Sequence, residues 1–287
     1  DTPYVLTILP NEKLGVNESG VDRSSGVPYP TEKVSFKFPT LQTATLSNGA
    51  KVVLAQRTGV PLVELNFQFS FGYAQENNDE LGYTNFMMDM LNEGTKKYSS
   101  LQFDEVLDSL GSNLGFGSGL DTSYATVSSL KTNLEETLDL AREALIHPTF
   151  PQKEIDRIKK QTLASIVQEE NRPAAIAYRN IGKLLYGDNH PYGKPLTGSG
   201  ISATISDITR EDVIAVHKRA INPANLTFAV AGDINLDELI EMLEAKFGNW
   251  SGDSNPDLKI LSNVALPATR TVYLIDKPNA QQSYIVA

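Results

Sequence analysis

Cysteine is absent from the 287 residues, which removes disulfides, thiol nucleophiles and cysteine-ligated metals together. Histidine is scarce, with only His147, His190 and His217 in the chain. His147 stands in Ile146-His147-Pro148, a helix-ending context that predicts a surface residue at a helix C-terminus. His217 lies on an amphipathic stretch, Val213 to Lys218, as an exposed or packed residue. A histidine-rich zinc cluster cannot be assembled from these three, and no serine stands in a His-Asp context that would support nucleophilic catalysis. No run reaches the roughly 18 apolar residues of a membrane helix, and no cationic-then-apolar opening resembles a signal peptide. The chain opens on Asp1 rather than Met, which points to a longer chain that would carry any targeting signal. The compartment stays open between a bacterial periplasm and a cytoplasm. Basic residues are outnumbered, 25 against 35 acidic ones, for a formal net charge of -10. Nucleic acid and anionic membrane surfaces repel such a body and are excluded as partners.

What is present is the composition of a globular protein long enough to bury a substantial core. Residues 1 to 38 are dense in Pro and Gly and read as an extended arm or inter-domain linker, with a possible short strand at Tyr4–Leu9. From Leu41 the pattern changes. Leu41–Leu46 and Lys51–Ala55 flank Asn48-Gly49 and predict a hairpin. Val63–Phe71 alternates apolar and polar residues, the mark of a strand with one buried face. A strand pair follows at Leu114–Ser118 and Ser123–Leu130, and a further strand at Leu226–Ala231. Helices are predicted over Asp79 to about Glu93, Ser100–Leu110, Asn133–Ile146, Pro151–Glu170, Pro173–Leu185, Arg210–Ala220 and Leu236–Phe247. Thr271–Ile275 reads as a closing strand. The expected fold class is α+β, an antiparallel-rich sheet covered by helices, with one domain over 39–270 and the start of a following domain at 271–287.

Within the first predicted helix, residues 85 and 89 share a face and 88 lies one turn from 85. Two imidazoles there could hold zinc with a carboxylate between them to activate water. The residues present are Asn85, Met88 and Asp89. An amide is a poor zinc ligand, a thioether is no general base, and a lone carboxylate does not hold zinc.

The frame around these positions resembles the pitrilysin/insulinase-type metallopeptidases, the inverzincins. Gly82, Phe86, Met90, Leu91, Gly94 and Thr95 fall in register with the family's motif helix. Four other pieces occur in the family's order: Thr45–Val53, Phe71–Glu76, Leu185–Gly193 and Val230–Ile234, with Phe150-Pro151 and Glu154–Arg157 resembling the helix that brings a third ligand. That ligand, a glutamate about seventy-five residues beyond the second histidine, maps to Ser165. The resemblance therefore implies a non-catalytic domain, with degenerate positions Asn85, Met88, Asp89 and Ser165 and no metal or cofactor of its own. His190, in Asp188–Gly193, is expected to fix its loop.

The resemblance also implies one half of a clamshell that encloses a substrate chamber, with zinc in a catalytic partner half of the same chain or a separate subunit. Its partners would be that half and peptide or unfolded polypeptide. In catalytic members a substrate strand adds to a sheet edge that corresponds here to Asn113, Leu114, Gly115 and Phe116. Glycines there admit close backbone approach, or mark a loosely packed edge. Two other functions stand beside this one: an active metallopeptidase with unorthodox ligands such as Asp89 and His190, and a structural core protein of an assembly.

Overall fold

The computed structural model describes residues 38–252, 258–259, 263–264 and 269–287, together with Gly26 and Ser35. The chain divides into two compact units, Asp1–Phe38 and Pro39–Ala287. The arm expected over 1–38, with its strand at Tyr4–Leu9, lies almost wholly outside the described residues.

Among the described residues six strands form one sheet: β1 (Gln42–Thr45), β2 (Lys51–Gln56), β3 (Leu62–Phe69), β4 (Asn113–Ser118), β5 (Ser123–Leu130) and β6 (Leu226–Gly232), in the order β1-β2-β6-β3-β5-β4. Every pair is antiparallel except β2 with β6. The first hairpin turns where Asn48-Gly49 places it, with Gly49 at φ 89, a left-handed conformation open to glycine at little cost. Asn48 fixes the turn twice, accepting from Ala50 N at 3.1 Å and donating to the carbonyl of Phe247 at 2.9 Å.

The alternation read from the sequence becomes the division between two faces. Val63, Leu65, Phe67 and Phe69 of β3, Val52 and Leu54 of β2, and Phe228 and Val230 of β6 are buried, while Glu64 and Gln68 point to the open side. Phe67 meets Phe228 and Phe247 at ring-centroid distances of 5.0 and 5.2 Å, tilted and edge-on, the arrangement that aromatic quadrupoles favour.

Eight helices occur among the described residues: α1 (Tyr83–Asp89), α2 (Ser100–Ser109), α3 (Leu134–Ile146), α4 (Gln152–Glu169), α5 (Pro173–Tyr186), α6 (Ser202–Asp207), α7 (Arg210–Ala220) and α8 (Leu236–Phe247). The Ser99 signal is a full capping box closed by Gln102, and Thr209 with Asp212 forms another at α7. None of these helices is long and apolar enough to cross a membrane.

Three expectations are corrected. The first helix does not run from Asp79 to Glu93. Gly82 stands at its N-terminus with φ 93, and the chain leaves the helix at Met90. The six-residue α6 is an addition, too short to show a 3.6-residue period in the sequence. Thr271–Ile275 joins no strand of the sheet, and Val272 and Leu274 are each 92% exposed. β-type side chains do not make a strand by themselves, because strand propensity reflects the fit to pairing neighbours.

Candidate functional site

The N-terminus of α1 is held by a buried carboxylate. Glu76, 3% exposed, accepts from the backbone N–H of Gly82 at 2.9 Å and of Thr84 at 2.7 Å. These are orphan donors of a helix start, and a negative charge there also complements the helix dipole. Beside it the buried Lys194 donates to the carbonyls of Tyr73 (3.3 Å), Ala74 (3.0 Å) and Glu76, three acceptors for the three ammonium protons. Burial pushes the Glu76 carboxyl up to about 7, against the hydrogen bonds from Thr84 and Gly82 and the nearby Lys194.

The loop 193–200 then folds over α1. Asn85 donates its amide to the carbonyl of Gly198 at 3.0 Å. Gly198 has φ 73, and a Cβ there would stand 2.3 Å from the Asn85 nitrogen and 3.0 Å from the Tyr73 ring. The contact therefore requires glycine.

Under this loop, between α1 and α4, lies a cavity of about 280 Å³. Phe86 and Ile158, both buried, give it an apolar floor. Its polar wall carries Asn85 and Asp89 from α1, Thr162 and Ser165 from α4, and Thr197 and Ser199 from the loop. Three of the four positions that the resemblance maps to a metal site thus converge on one space. The fourth does not: Met88 is fully buried in the core, where a carboxylate would be desolvated and without a partner.

Charge around the cavity is unevenly satisfied. Arg157 from α4 binds Glu93 and, at 2.6 Å, Glu154. Arg179 from α5 reaches Glu169 at 2.7 Å, Ser199 at 3.0 Å and the carbonyl of Gly200 at 2.8 Å. The carboxylate one turn beyond Ser165 is thereby committed to an arginine. The Asp89 carboxylate has no hydrogen-bond or ion-pair partner among the described residues. Although Asp89 is exposed at the cavity, the protein around it and the neighbouring Glu93 push its carboxyl up to about 6.

A zinc ion does not fit this donor set. Asn85 spends its amide on the loop, Ser165 offers a neutral hydroxyl, and Asp89 is a single anionic oxygen donor, where zinc takes three or four nitrogen, sulfur or carboxylate ligands. Among the described residues no group of three or more His, Asp or Glu is placed to hold a metal. His190 contributes nothing here. It lines a different cavity, with Glu76 and Lys194, stacks on Tyr186 at 5.0 Å and accepts from Tyr192 N at 3.0 Å. A pairing of Asp89 with His190 as metal ligands is corrected by this separation. His147 and His217 are packed at the end of α3, the latter within 2.9 Å of the Leu145 carbonyl.

The edge segment Asn113, Leu114, Gly115 and Phe116 lies on β4, which among the described residues pairs only with β5 and forms an edge of the sheet. Its glycines have an internal use. A Cβ on Gly117 would stand 2.6 Å from the Tyr124 hydroxyl, and one on Gly115 3.1 Å from Thr126 Oγ1. Cross-strand side chains of β5 lie across them. β4 also packs against α1, so edge and cavity adjoin one helix.

Sequence reasoning passed over Glu76, Arg179 and the loop 193–200. Only Gly198-Ser199-Gly200 carried a signal, as a turn-rich stretch.

The chain is similar to known proteins along most of the described domain. The family model described as Insulinase (Peptidase family M16) matches residues 51–199, just over half of the chain, and the model described as Peptidase M16 inactive domain matches residues 207–287. An uncharacterized zinc protease of Rickettsia felis is 26% identical over 71% of this chain and 49% of its own length. The non-peptidase homolog YmxG of Helicobacter pylori is 24% identical over 72% of this chain and 48% of its own. The crystal structure of a peptidase M16 inactive domain from Pseudomonas fluorescens superposes with a TM-score of 0.71 and 27% identity, over 79% of this chain and 54% of that one. The chain spans about half the length of these relatives. The α+β fold is shared with the Pseudomonas fluorescens structure, and the matches include an inactive domain and a non-peptidase homolog as well as a zinc protease.

Proposed function

Since the chain belongs to the insulinase (M16) peptidase family, we propose that it is a non-catalytic half that binds extended polypeptide and completes the substrate chamber of a zinc-bearing partner half. One observation carries the reading: the three positions that would ligate zinc converge on a single cavity, yet offer one carboxylate, one amide and one hydroxyl. A fold that keeps the cavity and the free edge while lacking the ligands is suited to holding a chain without cutting it. The partner half would reside in the same longer polypeptide or a separate subunit, and zinc would belong to it. Reading the domain as an active peptidase with unorthodox ligands loses its basis in the separation of Asp89 from His190.

Binding along β4 would proceed by strand addition, in which the peptide pairs with the unpaired N–H and C=O groups of an edge strand. Hydrogen exchange on the whole chain tests it. Saturating casein, as an unfolded polypeptide, is expected to slow amide exchange in 113–118, where the edge N–H groups would gain acceptors. Unchanged exchange there, with casein demonstrably bound elsewhere or not at all, would contradict edge binding.

A further inference from the structure

We infer that the cavity between α1 and α4 is a pocket for a cationic side chain, a lysine ammonium or arginine guanidinium of the bound polypeptide, with Asp89 as its counter-ion. The inference deepens the peptide-binding reading by naming a residue class that the bound chain would present.

Asp89 is the one carboxylate in the cavity wall, and the two arginines beside the cavity are already paired, Arg157 with Glu93 and Glu154 and Arg179 with Glu169. A carboxylate without a cation, facing a cavity whose other polar lining groups are neutral, selects for positive charge. Asn85, with its nitrogen engaged by Gly198, keeps its carbonyl oxygen as an acceptor. Ser165 and Thr162 supply hydroxyls that accept as well as donate. A divalent metal would find only one negative ligand here, too few for zinc and poorly matched to calcium, which takes six to eight oxygens. A monovalent organic cation needs one.

The floor decides between a bare ion and a side chain. Phe86 and Ile158 are apolar and buried, and about 280 Å³ is far more than a single ion fills. A lysine or arginine stem lies well on such a floor while its head stays among polar groups. The excess of acidic residues over the whole chain favours the approach of a basic segment.

The pocket can be read apart from the edge. The labelled 287-residue chain is titrated with n-butylammonium and with n-butanol, following the amide signals of Thr162 and Ser165 and the Asn85 side-chain NH₂. Butylammonium is expected to give saturable shifts at least about tenfold tighter than butanol, the scale of one charged hydrogen bond. Asp89→Asn should abolish that preference without loss of thermal stability, because the carboxylate it removes has no protein partner. Equal responses to the two probes, no response to either, or a preference that survives Asp89→Asn would overturn the pocket. A second pair of probes links pocket to edge: an acetylated, amidated hexapeptide of alanine with one central lysine, and its norleucine counterpart. The lysine peptide is expected to bind about tenfold tighter to the parent and no tighter to Asp89→Asn. If butylammonium saturates the pocket and neither peptide binds, the pocket stands and edge binding falls.

Discussion

Glu76→Ala is expected to destabilise the chain by about 3–5 kcal/mol, the scale of removing one partner from a buried charged constellation. The reason lies in what the carboxylate leaves behind. The backbone N–H groups of Gly82 and Thr84 lose their acceptor, each at a cost of about 1–3 kcal/mol when buried, and the buried Lys194 loses the negative charge beside it. Because those N–H groups open α1, the cavity should loosen with the fold. Exchange at Asn85 to Asp89 should then rise even under conditions where the core strands stay protected. Glu76→Gln is the milder change, keeping one acceptor oxygen. It also isolates a pH effect. The carboxyl sits at about 7 in the folded chain against an ordinary 4.5, so between those values the folded state holds a proton that the unfolded state has released. This group's contribution to stability therefore falls as pH rises from about 4.5 to about 7. Glu76→Gln should remove that slope. Urea unfolding across the window checks both statements, and an alanine cost below about 1 kcal/mol above the titration range would contradict the capping role.

The combined variant Asn85→His, Asp89→His, Ser165→Glu is expected to acquire one zinc ion per chain where the parent takes none. The three positions already line one cavity, so two imidazoles and a carboxylate would face a common point, the ligand set of a catalytic zinc site. At free zinc about a hundredfold above its dissociation constant, the variant should gain about 2.7 kcal/mol of stability by mass action, a shift the parent should not show. Binding is expected without cleavage. Met88 holds the general-base position and is fully buried, so Met88→Glu would place a carboxylate in the core, where burial is costly. The departure from the catalytic pattern therefore reaches past the three ligand positions into the packing of α1. A folded triple variant that takes no zinc would mean that the cavity is not where the family's metal belongs.

The features readable from the sequence were those with local causes. Asn48-Gly49 set the first hairpin because its turn needs a left-handed residue, and the period-2 pattern of β3 marked its buried face residue by residue. The mapping of Ser165 to the same space as Asn85 and Asp89 came from the resemblance, and the cavity joins those positions across α1 and α4. What escaped depended on distant partners. The start of α1 is fixed by a side chain six to eight residues upstream. The loop 193–200 gained its role only by landing on Asn85, more than a hundred residues away in sequence. Thr271–Ile275 has strand-type residues but joins no strand among the described residues, and β-propensity measures a fit to neighbours rather than a property of the segment alone. The glycines of β4 left two readings open, close backbone approach or a loosely packed edge, and the side chains that cross them, Tyr124 and Thr126, belong to the next strand.

The most direct measurement is the metal content of the purified 287-residue chain after equilibration with zinc, with cleavage of casein and a quenched peptide followed in parallel. The account expects no stoichiometric zinc and no cleavage that a chelator abolishes, because Asn85, Asp89 and Ser165 cannot together hold the ion. One tightly bound zinc with chelator-sensitive cleavage would contradict it and make this domain an enzyme in its own right.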